Sequence, residues 1–148
     1  FKIVVGYPTA EQEVEVLRGH HQRKSMAEAI GEITAILQPQ QLTELRAKTH
    51  LVHVEDKLLE YIAKIILQTR NNKSLFLGAS PRASVALLNS SKALAAIRGR
   101  DFVTPEDIQA LAPAVLRHRI ILMPEREMEG TTPDDAVAQL LQKVEVPR

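Results

Sequence analysis

The hydrophobic residues of this 148-residue chain recur mostly at the three- and four-residue spacing of one helix face. The clearest stripe lies between Val54 and about Arg70. Its apolar side consists of Leu58, Tyr61, Ile62, Ile65 and Ile66. Acids precede these residues in the first turn, where negative charge stabilises a helix. The pattern therefore predicts a mainly α fold in the form of a helical bundle.

Threonine capping boxes and N-terminal prolines mark further helix starts. These signals are Thr9 with Gln12, Pro39, Thr104-Pro105-Glu106-Asp107, and Thr132-Pro133-Asp134-Asp135. The helix after Thr104 should bury Ile108, Leu111, Val115 and Leu116. Pro113 should kink or split that helix, because proline lacks the N–H that the helix ladder needs. The last helix should reach about Val144.

Other stretches lack helical periodicity. Phe1–Val5 and Leu75–Leu77 are short apolar runs typical of extended chain. A lone strand is not stable, so Phe1–Val5 should belong to a buried strand of a sheet outside this chain. The helical pattern fades over Gly19–Lys24. We expect a short extended segment at Ile30–Leu37 and a charged connector at Pro124–Thr132.

The stretch Gly78–Ser84 combines a helix start with an unexpected charge. Ser80 is a favourable N-cap and Pro81 fits the first helical position. Arg82 then lies in the first turn, where the helix dipole disfavours a cation. We therefore expect an anion near this helix start. Gly99 should end the helix in the left-handed conformation.

Composition narrows the classes of function. The 19 basic and 18 acidic residues nearly cancel, which argues against a dedicated nucleic-acid or membrane-surface binder. One basic set remains a nucleic-acid alternative, with steeply salt-dependent affinity: Arg98, Arg100, Arg117 and Arg119. The chain has no cysteine, which excludes disulfides and cysteine metal sites. His50 and His53 have ligand-like spacing but no clear third ligand. No apolar run reaches the roughly 18 residues of a membrane span.

Several motifs, in this order, resemble a known family. They are Gly78-Ala79-Ser80-Pro81-Arg82-Ala83, Lys92-Ala93-Leu94-Ala95, Arg98-Gly99-Arg100-Asp101-Phe102-Val103-Thr104-Pro105-Glu106-Asp107-Ile108, and Val115-Leu116-Arg117-His118-Arg119-Ile120. The chain resembles the C-terminal helical lid of MoxR-type AAA+ ATPases, and Phe1–Pro8 resembles the segment that leaves the nucleotide-binding core. The resemblance implies core-leaving strand, linker and helices at 1–53, the lid at 54–122, and a connector with a helix at 123–148. Since the chain starts at Phe1, we expect a piece of a longer protein.

The same resemblance implies a chemistry. The parent protein would bind ATP and Mg²⁺ and hydrolyse ATP to drive chaperone-like remodelling or assembly of clients. Arg82 matches the sensor 2 arginine, which reaches the γ-phosphate, and Gly6, Tyr7 and Pro8 match a linker near the adenine. The sequence contains no G-x-x-x-x-G-K-[S/T] string, and Walker B, sensor 1 and the arginine finger would precede Phe1. We therefore expect no bound ATP and no hydrolysis by this chain alone.

The implied partners are the ATP-binding core of the same parent chain, neighbouring protomers of a homo-hexameric ring, and a client protein. The implied compartment is the cytoplasm. An alternative from another class is a helical protein-interaction module without a nucleotide role, which would bind a partner through apolar grooves. Specific capture of a partner without the core would favour that alternative.

Overall fold

The computed structural model describes residues 1–22 and 25–147. Its backbone divides into two compact units. The smaller unit is Val4–Glu44, and the larger unit combines Phe1–Ile3 with the chain from Leu45 onward. The predicted mainly α fold is confirmed, because helices dominate the described chain.

The smaller unit contains α1 (Ala10–Gln22), α2 (Met26–Gly31) and the beginning of α3 (Pro39–His50), which continues into the larger unit. The capping box before α1 is confirmed. The Thr9 N–H donates to Gln12 Oε1 at 2.9 Å, and the Gln12 N–H donates to Thr9 Oγ1 at 3.3 Å. Neither α1 nor α3 buries a residue.

The larger unit is built around four helices, which are α4 (Asp56–Arg70), α5 (Pro81–Ile97), α6 (Pro105–Leu116) and α8 (Pro133–Lys143). Helix α5 packs against α4 and α6, and α8 packs against α6 and α4. The predicted stripe of α4 is buried throughout, and Ala136, Val137 and Leu140 of α8 enter the same core. The apolar face predicted for α6 is also confirmed, with Leu111 half-buried at its edge.

Helix α5 meets its neighbours through a row of mostly small side chains. Ala83, Leu87, Ser91 and Ala95 are its buried residues and recur every fourth position. This spacing places them along one face. Because alanine and serine project little beyond the backbone, α5 can lie close to the helices it contacts. The predicted left-handed C-cap is confirmed, since Gly99 has φ +72°.

The larger unit also contains a two-stranded sheet. Strand β1 (Leu75–Leu77) confirms the predicted extended run, and it pairs antiparallel with β2 (Ile121–Leu122). Leu75 lies opposite Leu122, and both are buried. The sheet therefore ties the chain just before α5 to the chain just after α6.

Of the other two stretches expected to be extended, Ile30–Leu37 is helical at its start, whereas the assignment of Phe1–Val5 to a sheet outside this chain stays a prediction. Phe1–Val5 forms no strand, and its side chains are exposed. Its backbone instead makes a hydrogen bond from the Lys2 N–H to the Ala114 carbonyl at 3.2 Å. A strand needs a paired neighbour, and the described chain places none beside this segment. Ile30 and Gly31 belong to α2, and no strand follows within Ile30–Leu37.

Helix content also exceeds the prediction. Helix α1 continues through Gln22, although the pattern fades after Gly19, and the rest of Gly19–Lys24 lies outside the described residues. The charged connector contains a short helix, α7 (Pro124–Met128). Pro113 does not split α6, which continues to Leu116. Pro113 removes one ladder bond, to the Gln109 carbonyl, and only three residues of the helix follow it.

The last helix begins as predicted. The Thr132 N–H donates to Asp135 Oδ2 at 2.9 Å, and the Asp135 N–H donates to Thr132 Oγ1 at 3.2 Å. Helix α8 ends at Lys143, with Val144 as its C-cap. Among the described helices, none is both long and apolar enough to cross a membrane.

Candidate functional site

The candidate site is the start of α5, where the chain leaves β1 and turns into the helix. Ser80 occupies the N-cap position with extended backbone angles, and Pro81 follows at the first helical position. The Ser80 side chain makes no capping hydrogen bond, which differs from its expected role. The first turn also lacks an acidic residue, whereas α6 and α8 each have two acids there. The start of α5 therefore has the favourable N1 proline but neither a side-chain cap nor an acid in its first turn.

The loop before this helix is held by the end of α4. Thr69 Oγ1 accepts a hydrogen bond from the Ala79 N–H at 2.9 Å and donates to the Ile66 carbonyl at 2.6 Å. Arg70 Nε donates to the Ala79 carbonyl at 2.9 Å. Both backbone polar groups of Ala79 are thus bound by consecutive residues of one helix. We call Thr69, Arg70 and Ala79 the loop clamp.

Gly78 permits this close approach between loop and helix. A Cβ atom at position 78 would lie 2.7 Å from the Cα of Arg70 and 2.7 Å from the Thr69 carbonyl oxygen. Such distances are too short for any side chain, and the conflict is with backbone atoms that cannot swing aside. The backbone of Gly78 is not in the left-handed region, so glycine is not needed here for its conformation. It is needed because a Cβ atom would have no space.

Arg82 projects from the first turn of α5 and is exposed. Its guanidinium has no ion-pair or hydrogen-bond partner among residues 1–22 and 25–147. The remaining arginines between positions 67 and 140 all have one. Their partners are the Ala79 carbonyl for Arg70, Asp107 for Arg98 and Arg100, Asp134 for Arg117, the Val115 carbonyl for Arg119, and Glu129 for Arg126. Among the arginines of this stretch, Arg82 is therefore the one that is available to an external anion.

The other end of α5 carries a buried charge cluster. Asp107 has a fully buried side chain, and its carboxylate accepts hydrogen bonds from Arg98 at 2.9 Å and from Arg100 at 2.6 and 2.8 Å. The Thr104 N–H donates to the same carboxylate at 3.0 Å. Burial by itself would raise the pKa of Asp107, but the Arg100 and Thr104 hydrogen bonds and both positive charges hold that pKa below its usual value.

This cluster weakens the nucleic-acid alternative. Arg98 and Arg100 direct their charge at Asp107, Arg117 pairs with Asp134 at 3.0 Å, and Arg119 donates to a backbone carbonyl. A phosphate-binding surface needs unpaired cations that face solvent. The four arginines instead satisfy groups of the protein itself.

The remaining candidates do not form a site with Arg82 within one unit. Gly6, Tyr7 and Pro8 are exposed members of the smaller unit, whereas Arg82 belongs to the larger unit. The His53 backbone pairs with the chain around Phe102, with its N–H donating to the Asp101 carbonyl at 2.7 Å. Over the described part of the chain, no group of three or more histidine or acidic side chains could hold a metal ion.

Sequence reasoning missed the residues that hold the site in place. Thr69 and Arg70 follow the apolar stripe of α4 and have no motif of their own. A local signal did exist for Asp107, because an acid at the third helical position often binds the N-cap backbone. Its full burial and its two arginine partners depend on tertiary packing, which spacing along the chain does not report.

Comparison with known proteins decides the family. The family described as AAA lid domain matches residues 67–140, which is half of the chain. The chain belongs to the AAA lid domain family. The matched part of this lid begins near the end of α4, contains the loop clamp, Arg82 and the Asp107 cluster, and ends in α8.

Individual relatives agree with this assignment. The lid chain is 37% identical to the uncharacterized protein YeaC of Bacillus subtilis, with 99% of this chain and 45% of that protein covered. It is 32% identical to Chaperone MoxR1 of Mycobacterium tuberculosis, with 100% of this chain and 40% of that protein covered. These matches confirm the resemblance to MoxR-type AAA+ proteins.

A solved structure supports the fold. The crystal structure of a candidate ATPase from Cytophaga hutchinsonii matches with a TM-score of 0.79 at 29% identity, covering 97% of this chain and 45% of that one. The lid chain thus spans less than half the length of these relatives.

Proposed function

We propose that this lid senses nucleotide in a MoxR-type AAA+ ATPase, with Arg82 as the sensor 2 residue that contacts the γ-phosphate. The observation that supports this role is the unpaired, exposed guanidinium in the first turn of α5, at a helix start without acids. A phosphate at that position would complement both the arginine and the positive end of the helix dipole. An arginine that binds phosphate mainly in the closed state would couple lid angle to nucleotide state.

The proposal extends to the parent protein. ATP with Mg²⁺ would be held mostly by residues outside this sequence, because the chain lacks a Walker A string. Of the residues present, Arg82 fits a terminal phosphate by charge, and we assign Gly6, Tyr7 and Pro8 to the adenine side. Bound ATP would supply the energy for chaperone-like remodelling or assembly of client proteins, in a homo-hexameric ring. Because such a protein consumes ATP, we propose the cytoplasm as its compartment.

Arg82→Ala in the full-length parent protein tests the sensor role. We expect ATP turnover to fall by at least about tenfold, the scale of losing one preorganised charge at a transition state. The matched control is Arg126→Ala, which removes an exposed arginine that pairs with Glu129 on the short helix α7. Normal turnover in Arg82→Ala, or an equal loss in both variants, would contradict the proposal.

A further inference from the structure

We infer that Thr69 and Arg70 are positioning residues for Arg82, and this inference rests on the proposed sensor role. Ala79, which both residues bind, precedes Arg82 by three positions. A shift of Ala79 would therefore move the first turn of α5 and, with it, the guanidinium of Arg82. Thr69 and Arg70 would act on the reaction through the loop clamp, without touching nucleotide.

The clamp is specific because it uses the two backbone groups of one buried residue. Ala79 is 1% exposed, so its N–H has little access to water if Thr69 cannot accept it. The Thr69 hydroxyl is itself oriented by its donation to the Ile66 carbonyl at 2.6 Å. This bond points the hydroxyl lone pairs toward the loop. Arg70 Nε binds the Ala79 carbonyl, which belongs to the next peptide group, so the peptide groups on both sides of the Ala79 Cα are held.

The start of α5 has few other polar anchors. Ser80 makes no capping bond with its side chain, and the first turn has no acid that could bind the backbone. Packing of Ala83, which is fully buried, fixes one side of the turn. The loop clamp supplies the polar constraint that α6 and α8 obtain from their capping boxes.

The experiment introduces Thr69→Val and Arg70→Met into the full-length parent, each with Arg82 present and with Arg82→Ala. Ser91→Ala is the matched control, because it also removes a buried hydroxyl, whose hydrogen bond to the Leu87 carbonyl at 2.9 Å stays within α5. With Arg82 present, we expect both clamp variants to lower turnover by about fivefold or more, since small misplacements of a reacting group are costly.

The background with Arg82→Ala separates positioning from general stability. If Thr69 and Arg70 act through Arg82, the clamp variants should add less than about a twofold further loss there. ADP affinity should stay unchanged, because ADP lacks the γ-phosphate. Thr69→Ser keeps the hydroxyl and should restore turnover. Equal losses in both backgrounds, or a loss as large in Ser91→Ala, would overturn the inference.

Amide hydrogen exchange in the 148-residue chain provides a readout that needs no activity. Thr69→Val should speed exchange of the Ala79 amide by about tenfold or more relative to core amides of α5. If this variant fails to fold, Arg70→Met carries the turnover test, since the Arg70 side chain is exposed. Full turnover in Arg70→Met or in a folded Thr69→Val would overturn the inference. Normal turnover in Arg82→Ala alone would instead contradict the proposed sensor role, on which this inference rests.

Discussion

At the scale of single residues, the lid uses charge in two different ways. Asp107 is fully buried and neutralised by two arginines, whereas Arg82 is exposed and without a partner in the described chain. A buried carboxylate is tolerated only when its oxygens are hydrogen-bonded to cations or N–H groups. The two residues therefore divide into a structural charge and a charge available for binding.

Asp107→Ala should lower the free energy of unfolding by about 2–3 kcal/mol at neutral pH, because it removes the hydrogen bonds that the carboxylate accepts from Arg100 and from the Thr104 N–H. Urea unfolding at pH 7 measures this loss. Asp134→Ala serves as the control, since its carboxylate is half exposed and its pair with Arg117 is screened by water. A loss below about 1 kcal/mol in Asp107→Ala would contradict the structural role of the cluster.

The pH dependence of Asp107 follows from the direction of its pKa. The folded pKa lies below the unfolded value of about 3.9, so the stabilisation is fully present above that value. It is lost as the pH falls through the folded pKa. We expect the stability gap between the wild-type chain and Asp107→Asn to be constant from pH 7 to 5 and to narrow below about pH 4. Urea titrations at these pH values measure the gap, and one that widens toward low pH would contradict the assigned direction.

Gly78→Ala should destabilise the larger unit by about 1–3 kcal/mol, the cost of forcing an extra methyl into packed backbone. The cause is the 2.7 Å approach to Arg70 and Thr69. Thermal unfolding measures the effect. Gly19→Ala is the comparison, because a Cβ at Gly19 would meet nothing within 4 Å and alanine favours helix. Equal stability of the two variants would show that the loop can move away from α4.

At the scale of secondary-structure elements, α5 depends on the small size of its buried face. Ala95→Leu should cost about 1–3 kcal/mol, because Ala95 is fully buried and the added carbons have no space. The adjacent Ala96 is exposed, so Ala96→Leu should change stability by less than about 0.5 kcal/mol. Chemical denaturation of the two variants measures the difference. Equal effects would indicate that α5 packs less closely than described.

The elements that sequence predicted best are those with strong local patterns. The buried face of α4 follows directly from its apolar spacing, and the capping box at Thr132 marks the start of α8. The pairing of β1 with β2 was not predicted, because it joins segments more than forty residues apart and no local pattern reports such a contact. Phe1–Val5 forms no strand in this chain, because apolar composition indicates extended chain but does not supply a partner strand. Its place in a sheet outside this chain stays a prediction.

The candidate site shows the same limit. Arg82 could be singled out from the sequence because a cation in a first helical turn conflicts with the dipole. The loop clamp could not be singled out in this way. The side chains of Thr69 and Arg70 bind the backbone of Ala79, which lies ten and nine positions later in the chain. Whether Arg82, Gly6, Tyr7 and Pro8 contact nucleotide stays a prediction.

At the scale of the whole molecule, the two units differ in how much they bury. The larger unit has a continuous core, whereas α1 has no buried residue. Apolar side chains of the smaller unit such as Val16, Leu17 and Ile36 are more than half exposed. The division of this chain into core-leaving segment, lid and connector with helix at 1–53, 54–122 and 123–148 stays a prediction.

Amide exchange should separate the two units in the isolated chain. We expect α1 amides to exchange at least about a hundredfold faster than those of α4, because opening α1 exposes no core. Exchange monitored by mass spectrometry on matched peptides measures this difference. Comparable protection in both helices would contradict the described burial.

Because α5 is long, a small tilt of this helix would displace its N-terminal end by a large distance. Its 17 residues form a lever of about 25 Å, with Arg82 at the tip and the Arg98–Asp107 bond at the base. A tilt of about 5° at the base would displace the tip by about 2 Å, enough to break a guanidinium–phosphate hydrogen bond. Because the Ala79 bonds hold the tip and Asp107 holds the base, such a tilt would need both ends to yield. Under the proposed sensor role, α5 would then transmit rotations of the larger unit to the γ-phosphate with little internal bending.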